Sequence, residues 1–156
     1  MGASYSAEIE LLKDESSHAL TAVGRPFSAA SLRRLGVAIG GAHHLRHLAI
    51  VGHHHKKSHQ LRVEGARILC NSLIHADNLS SLRLPWNDLG DLGCNVMANT
   101  VQVGAHSSRT FRIVLLDGAA EPRVQSLEVF ARAVASTTGA GPPRIHLLQP
   151  HFVRTR

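Results

Sequence analysis

Seven of the twelve histidines fall between His43 and His59, and His53, His54 and His55 are consecutive. Imidazole is a common ligand for Zn, Ni and Cu. On a helix, His55 and His59 would share a face and could chelate such an ion. The stretch offers no cysteine or carboxylate as a further ligand, and Glu64 is the nearest acid. Two other readings stand beside chelation: a solvated loop, and a segment that gains positive charge as pH falls. The expectation is no metal and no cofactor.

Other reactive residues are sparse. Cys70 and Cys94 are the only cysteines. Cys94 follows Gly93 as Ala66 follows Gly65, so both places suit a small buried side chain. Asp88 and Asp91 are three apart, but they stand where helix caps belong. There is no Gly-rich phosphate loop, no nucleophile elbow and no carboxylate pair in a recognisable frame. The chain is therefore not expected to be an enzyme.

The elements that would position these residues follow from a repeat. The clearest unit reads Leu79-x-x-Leu82-x-Leu84-x-x-Asn87-x-Leu89, then Gly93, Met97 and Val101. Its first half alternates with period two, as a strand does, and its second half has helical spacing. Leu45, Leu48 and Ile50, then Leu61, Gly65, Leu69 and Leu73, repeat it once six residues are inserted near 53–58. Leu20, Ala22, Phe27, Leu35 and Ile39 form an earlier copy, one uninterrupted period upstream of the second. Pro26 and Ser28 mark the start of its helix. Downstream, 109–116 reads as a strand in an ambiguous frame, 126–136 as a helix and 144–148 as a last strand.

These units resemble ribonuclease-inhibitor-type leucine-rich repeats, strongly over 79–101, well over 45–73 and weakly elsewhere. The resemblance implies one α/β domain over 1–156: a short horseshoe solenoid of about four repeats. Parallel strands would line its concave face and helices its convex face. Residues 1–15 are left as either a poorly ordered or a capping segment. The family's members are binding scaffolds, so a protein partner on the concave face is implied, without its identity. The chain departs from the family's pattern in that His53 and Arg25 stand where Asn87 has its counterparts, which predicts a broken ladder of buried amides. No polar cap is evident at either end.

If Leu82 and Leu84 point inward, Ser81, Arg83 and Pro85 point outward, with Trp86 at the strand's edge. The neighbouring units add His47, Ala49 and Val51, then Arg112 and Val114, then His146 and Leu148. His47, Arg83, Trp86, Arg112 and His146 are the candidate partner-binding residues, centred on Arg83, Trp86 and Arg112 because Trp and Arg dominate binding hot spots. The competing readings are solvated arginines and a Trp86 that packs over the turn after its strand.

Composition narrows the classes. Apolar residues make up 44% of 156 residues, enough for a core, and aromatics only 4%, so that core must be aliphatic. The net charge of +6, from fourteen Arg and three Lys against eleven acids, keeps a nucleic acid or other anionic surface as the alternative partner. No apolar run approaches the ~20 residues that span a bilayer. The acidic start, with Glu8, Glu10, Asp14 and Glu15, does not read as a secretory signal. A cytoplasmic protein with reduced thiols is expected. Gly2 with Ser6 fits the N-myristoylation pattern.

Overall fold

The computed structural model describes residues 4–53, 55–104 and 112–114. In chain order the elements are α1 (Ser6–Leu11), β1 (Ala19–Val23), α2 (Ala29–Gly41), β2 (His47–Val51), α3 (Arg62–Leu73), β3 (Ser81–Arg83), α4 (Gly90–Gly104) and β4 (Arg112–Val114). The strands form one parallel sheet in the order β1-β2-β3-β4. After α1, strands and helices alternate, and consecutive helices pack side by side. Parallel neighbours need a crossover, and α2 and α3 supply it for the first two steps. The sheet is not curled over these strands, so the concave curvature expected of a horseshoe is not seen in it; the side bearing His47 and Arg83 is its polar face.

The register follows from the aliphatic spacing. Leu20 lies opposite Leu48, one uninterrupted period on. Leu48 in turn lies opposite Leu82, so the insertion between the second and third strands is absorbed outside the sheet. Leu82 lies opposite Ile113, which settles the frame of the fourth strand. Burial alternates along β1, with Leu20 and Ala22 buried between exposed Ala19, Thr21 and Val23. Leu48, Ile50, Leu82 and Leu84 continue the buried side, and Leu32, Leu35, Ile39, Leu69 and Met97 meet them from the helices. A one-residue slip would expose every one of these strand side chains, so the aliphatic pattern holds the register.

Two edges repeat the same bonds from unit to unit. At the strand entries, the Arg46 and His47 N–H groups donate to the His18 carbonyl, and those of Ser80 and Ser81 to the Arg46 carbonyl. At the exits, Gly24 N–H donates to Val51 O at 2.6 Å and Gly52 N–H to Pro85 O at 2.8 Å. Gly52 is required by close approach. A Cβ there would collide with the Trp86 carbonyl and crowd Asn87 Oδ1.

Helix starts are handled differently in each unit. Ser28 caps α2, its Oγ accepting from the Ser31 N–H at 3.4 Å. Asp91 lies in the first turn of α4, where its charge suits the helix dipole. Asp88 has a left-handed φ of 47° and lies before the helix. At the other end of the chain, α1 packs on β1 and α2. It buries Tyr5, Glu8 and Leu12. Arg25 donates to Glu8 Oε1 at 2.7 Å and to the Ser4 carbonyl at 2.7 Å. The described part of 1–15 thus covers the first strand, and its buried charge is paired with the residue that stands in the asparagine place of the first unit.

Candidate functional site

The polar face is built from alternate strand positions. Ala19, His47, Ser81 and Arg112 make one row across the sheet, and Thr21, Ala49, Arg83 and Val114 the next. Val23 and Val51 extend it on the first two strands. His47 and Arg83 are exposed, and Val23 is 62% exposed. The register brings Arg112 into the row of His47 and places it diagonally from Arg83. The strand positions carry no Asp or Glu at all.

Two of the expected contributors differ. Pro85 is buried rather than outward. β3 ends at Arg83, and the chain turns inward so that Pro85 O receives the Gly52 N–H; strand alternation no longer governs that residue. Trp86 is half-buried in the turn, with φ of 60°, three residues past the strand. His146, Leu148, the 126–136 helix, the 144–148 strand and Gly2 lie outside the described residues. Sequence spacing missed Ala19, Thr21 and Val23 as members of the face. They stand one period before His47, Ala49 and Val51, so the repeat already found would have located them.

The histidine stretch is not a helix bearing His55 and His59 on one side. It contains a single 3-10 turn, Lys57–His59. The reason lies in its hydrogen bonds, which anchor its far end to the strand exits. His59 Nδ1 donates to the Gly24 carbonyl at 2.7 Å, since a carbonyl can only accept. Phe27 N–H donates to the Ser58 carbonyl at 2.6 Å. The solvated-loop reading therefore holds for His55, Lys56, Lys57 and Ser58, which are exposed, and not for His59 or for Gln60, which is buried. The His53 ring lies 6.3 Å from that of His55 and 6.0 Å from that of His59. Among the described residues no group of three or more His, Cys, Asp or Glu is placed to hold a metal ion.

Two buried side-chain amides, Asn87 and Gln60, bond to backbone at the strand exits. Asn87 is 1% exposed. Its Nδ2 donates to the Ile50 and Pro85 carbonyls, and its Oδ1 accepts from the Leu61 N–H. One unit back, the buried amide is Gln60, whose Nε2 donates to the His53 carbonyl at 3.0 Å. A longer side chain from the far end of the insertion thus reaches the carbonyl of the residue in the asparagine place. Nothing in single-residue spacing points to Gln60, because the insertion shifts it out of the repeat.

Both thiols are buried and form no disulfide. Cys70 Sγ lies 3.0 Å from Met97 Sδ, between α3 and α4. Burial pushes the Cys70 thiol up to about 11, against a smaller opposing hydrogen bond with Thr100. A thiol held protonated is a poor nucleophile. The shallow groove above it, lined by Arg67, Asn71, Ile74 and Asn99, brings no base to activate it.

No protein-family model matches the chain, and no curated protein matches it. Among the described residues no helix is long and apolar enough to cross a membrane.

Proposed function

We propose that the chain is a short array of ribonuclease-inhibitor-type leucine-rich repeats that binds another protein on the polar face of its sheet. The observation that carries this is the Leu20–Leu48–Leu82–Ile113 row in the sheet register, with the residues on either side of it less buried than it on β1, β2 and β3. Each unit contributes one strand and one helix to a shared aliphatic core, which is how stacked repeats obtain stability that no single unit has. Asn87 supports the family reading, because it ties the turn of one unit to the strand of the unit before it. In longer arrays of this family the strand face is concave, and four strands make only a short segment of such an arc.

His47, Arg83, Trp86, Arg112 and His146 are the proposed contact residues. Arg83 and His47 are exposed and carry no core burden, so their side chains are available to a partner. Catalysis is not part of this reading. The buried thiols are in keeping with a reducing compartment such as the cytoplasm.

A photo-crosslinking amino acid placed at Ala49, on the polar face, and at Val37, on the outer side of α2, tests the assignment. Protein adducts are expected from Ala49 and not from Val37, which is 78% exposed and therefore open to any nonspecific encounter. Adducts from Val37 with none from Ala49 would move the binding surface to the helices.

A further inference from the structure

We infer that the partner presents an extended acidic segment to the polar face, its carboxylates meeting Arg83 and Arg112. This rests on the reading of that face as a protein-binding surface, and it goes further by fixing the chemistry of the occupant.

Charge is the first ground. The described strands hold His47, Arg83 and Arg112 as their only ionisable residues, and all three fall on the polar-face register. Nothing on these strands neutralises them internally. Among the described residues the exposed acids, Glu10, Asp14, Glu15, Glu64 and Asp77, all lie outside the strands. On the described strands an incoming acidic group would therefore find cations without carboxylates in the same register, which steers and orients association.

Spacing is the second ground. Arg83 is opposite Val114, and Arg112 is opposite Ser81, so the two arginines are on adjacent strands and two residues apart along them. Strand separation and rise put their Cα atoms about 8 Å apart. Alternate residues of an extended chain repeat at about 6.7 Å, so two carboxylates on one side of such a segment match the pair. The rest of the face is small or aliphatic: Ala19, Thr21, Ala49 and Ser81 leave room for a backbone to approach, and Val23 and Val51 offer apolar contact.

The same features count against nucleic acid. Phosphate recognition strong enough to matter uses many cations. Single-strand binding adds aromatic platforms. These strands hold two arginines and no Phe, Tyr or Trp.

The test uses the full 156-residue chain, with the crosslinker at Ala49, and four fluorescent probes. Three are twelve-residue peptides in which valine alternates with glutamate, lysine or serine; the fourth is single-stranded DNA. The glutamate peptide is expected to bind most tightly and to crosslink from Ala49. Its affinity should fall about five-fold with Arg83→Ala. It should fall about thirty-fold or more with Arg83→Glu and Arg112→Glu combined. The Arg83 side chain is exposed, so an unchanged thermal midpoint for Arg83→Ala separates lost contact from lost fold. Equal binding of the serine or lysine peptide, with crosslinking from Ala49, would overturn the acidic occupant and leave the face as a binding surface. Tighter binding of DNA, lost in the charge-reversed variant, would overturn it in favour of nucleic acid. No crosslink from Ala49 with any probe would overturn it and count against the face itself.

Discussion

Asn87 Nδ2 donates to the Ile50 carbonyl 2.6 Å away, across the junction between two successive strand–helix units. The same amide accepts from the Leu61 N–H at 3.2 Å, just before α3. One buried side chain thus fixes a strand end, a helix start and its own turn. Asn87→Ala would strand the buried Leu61 N–H and take the side-chain donor from the Ile50 carbonyl, while Pro85 O keeps the Gly52 N–H; a buried group left unpaired costs about 1–3 kcal/mol. We expect a loss of about 3 kcal/mol in denaturant unfolding. Asn87→Asp should also destabilise, because its carboxylate cannot donate to Ile50 O. A loss below about 1 kcal/mol in Asn87→Ala would mean that the bridge is not what holds the units together.

Gly52 is where the second unit touches the third most closely. Gly52→Ala would drive a methyl group against the backbone of Trp86, which cannot rotate away as a side chain could. A destabilisation of about 2–3 kcal/mol is expected, as for other overpacked sites. Gly41→Ala is the matched control, since a Cβ there meets nothing. The measurement is a pair of thermal melts, and equal midpoints would contradict the packing described at the strand exits.

Glu8 is buried, and its carboxylate is met by the half-exposed Arg25 guanidinium. Removing the cation leaves a buried negative charge without its partner. Arg25→Ala should cost about 2 kcal/mol, less than a fully buried pair because Arg25 is partly in water. The double variant with Glu8→Gln should recover part of that loss. An additive double-mutant cycle would show that α1 is not secured to the first strand through this pair.

Cys70 supplies a pH dependence whose sign can be worked out. Its thiol is raised by burial from 9.0 to about 11. The unfolded chain therefore ionises first, so the contribution of this group is complete below pH 9 and is lost as pH rises through 11. Tyr5, raised by burial and by Glu8 against the opposing pull of Arg25, acts in the same direction. Comparison with Cys70→Ala isolates the thiol. The thermal midpoint of the unsubstituted protein should fall more steeply between pH 9 and 11 than that of the variant. Parallel profiles would contradict a buried, protonated Cys70.

Much of the scaffold was legible because aliphatic periodicity is a direct consequence of burial. Leu48 and Leu82 could be paired from spacing alone, insertion included, because a shift of one residue would turn both into water. Asn87 was legible only through the resemblance, whose asparagine place it fills; its bonds to Ile50 O and Leu61 N–H are read from the structure. Pro85 was misplaced because alternation was carried two residues beyond the end of a three-residue strand. Gln60 and His59 were not legible. Their partners, His53 O and Gly24 O, are backbone atoms brought near by the insertion, and main-chain acceptors leave no mark on side-chain pattern. The arrangement of Arg83 and Arg112 needed the register of the fourth strand, which the sequence left ambiguous and the pairing with β3 resolves.

In the proposed function one side of the strands faces the core while the other is open to a partner. Single cysteines at Thr21, Ala22 and Val23, and at His47, Leu48 and Ala49, test this through the rate of thiol labelling below the melting transition. Labelling should be fast at Thr21, Val23, His47 and Ala49, and slow at Ala22 and Leu48, with native Cys70 and Cys94 also slow. Uniform rates along both strands, or fast labelling at Ala22 and Leu48, would contradict the sheet and the binding face together.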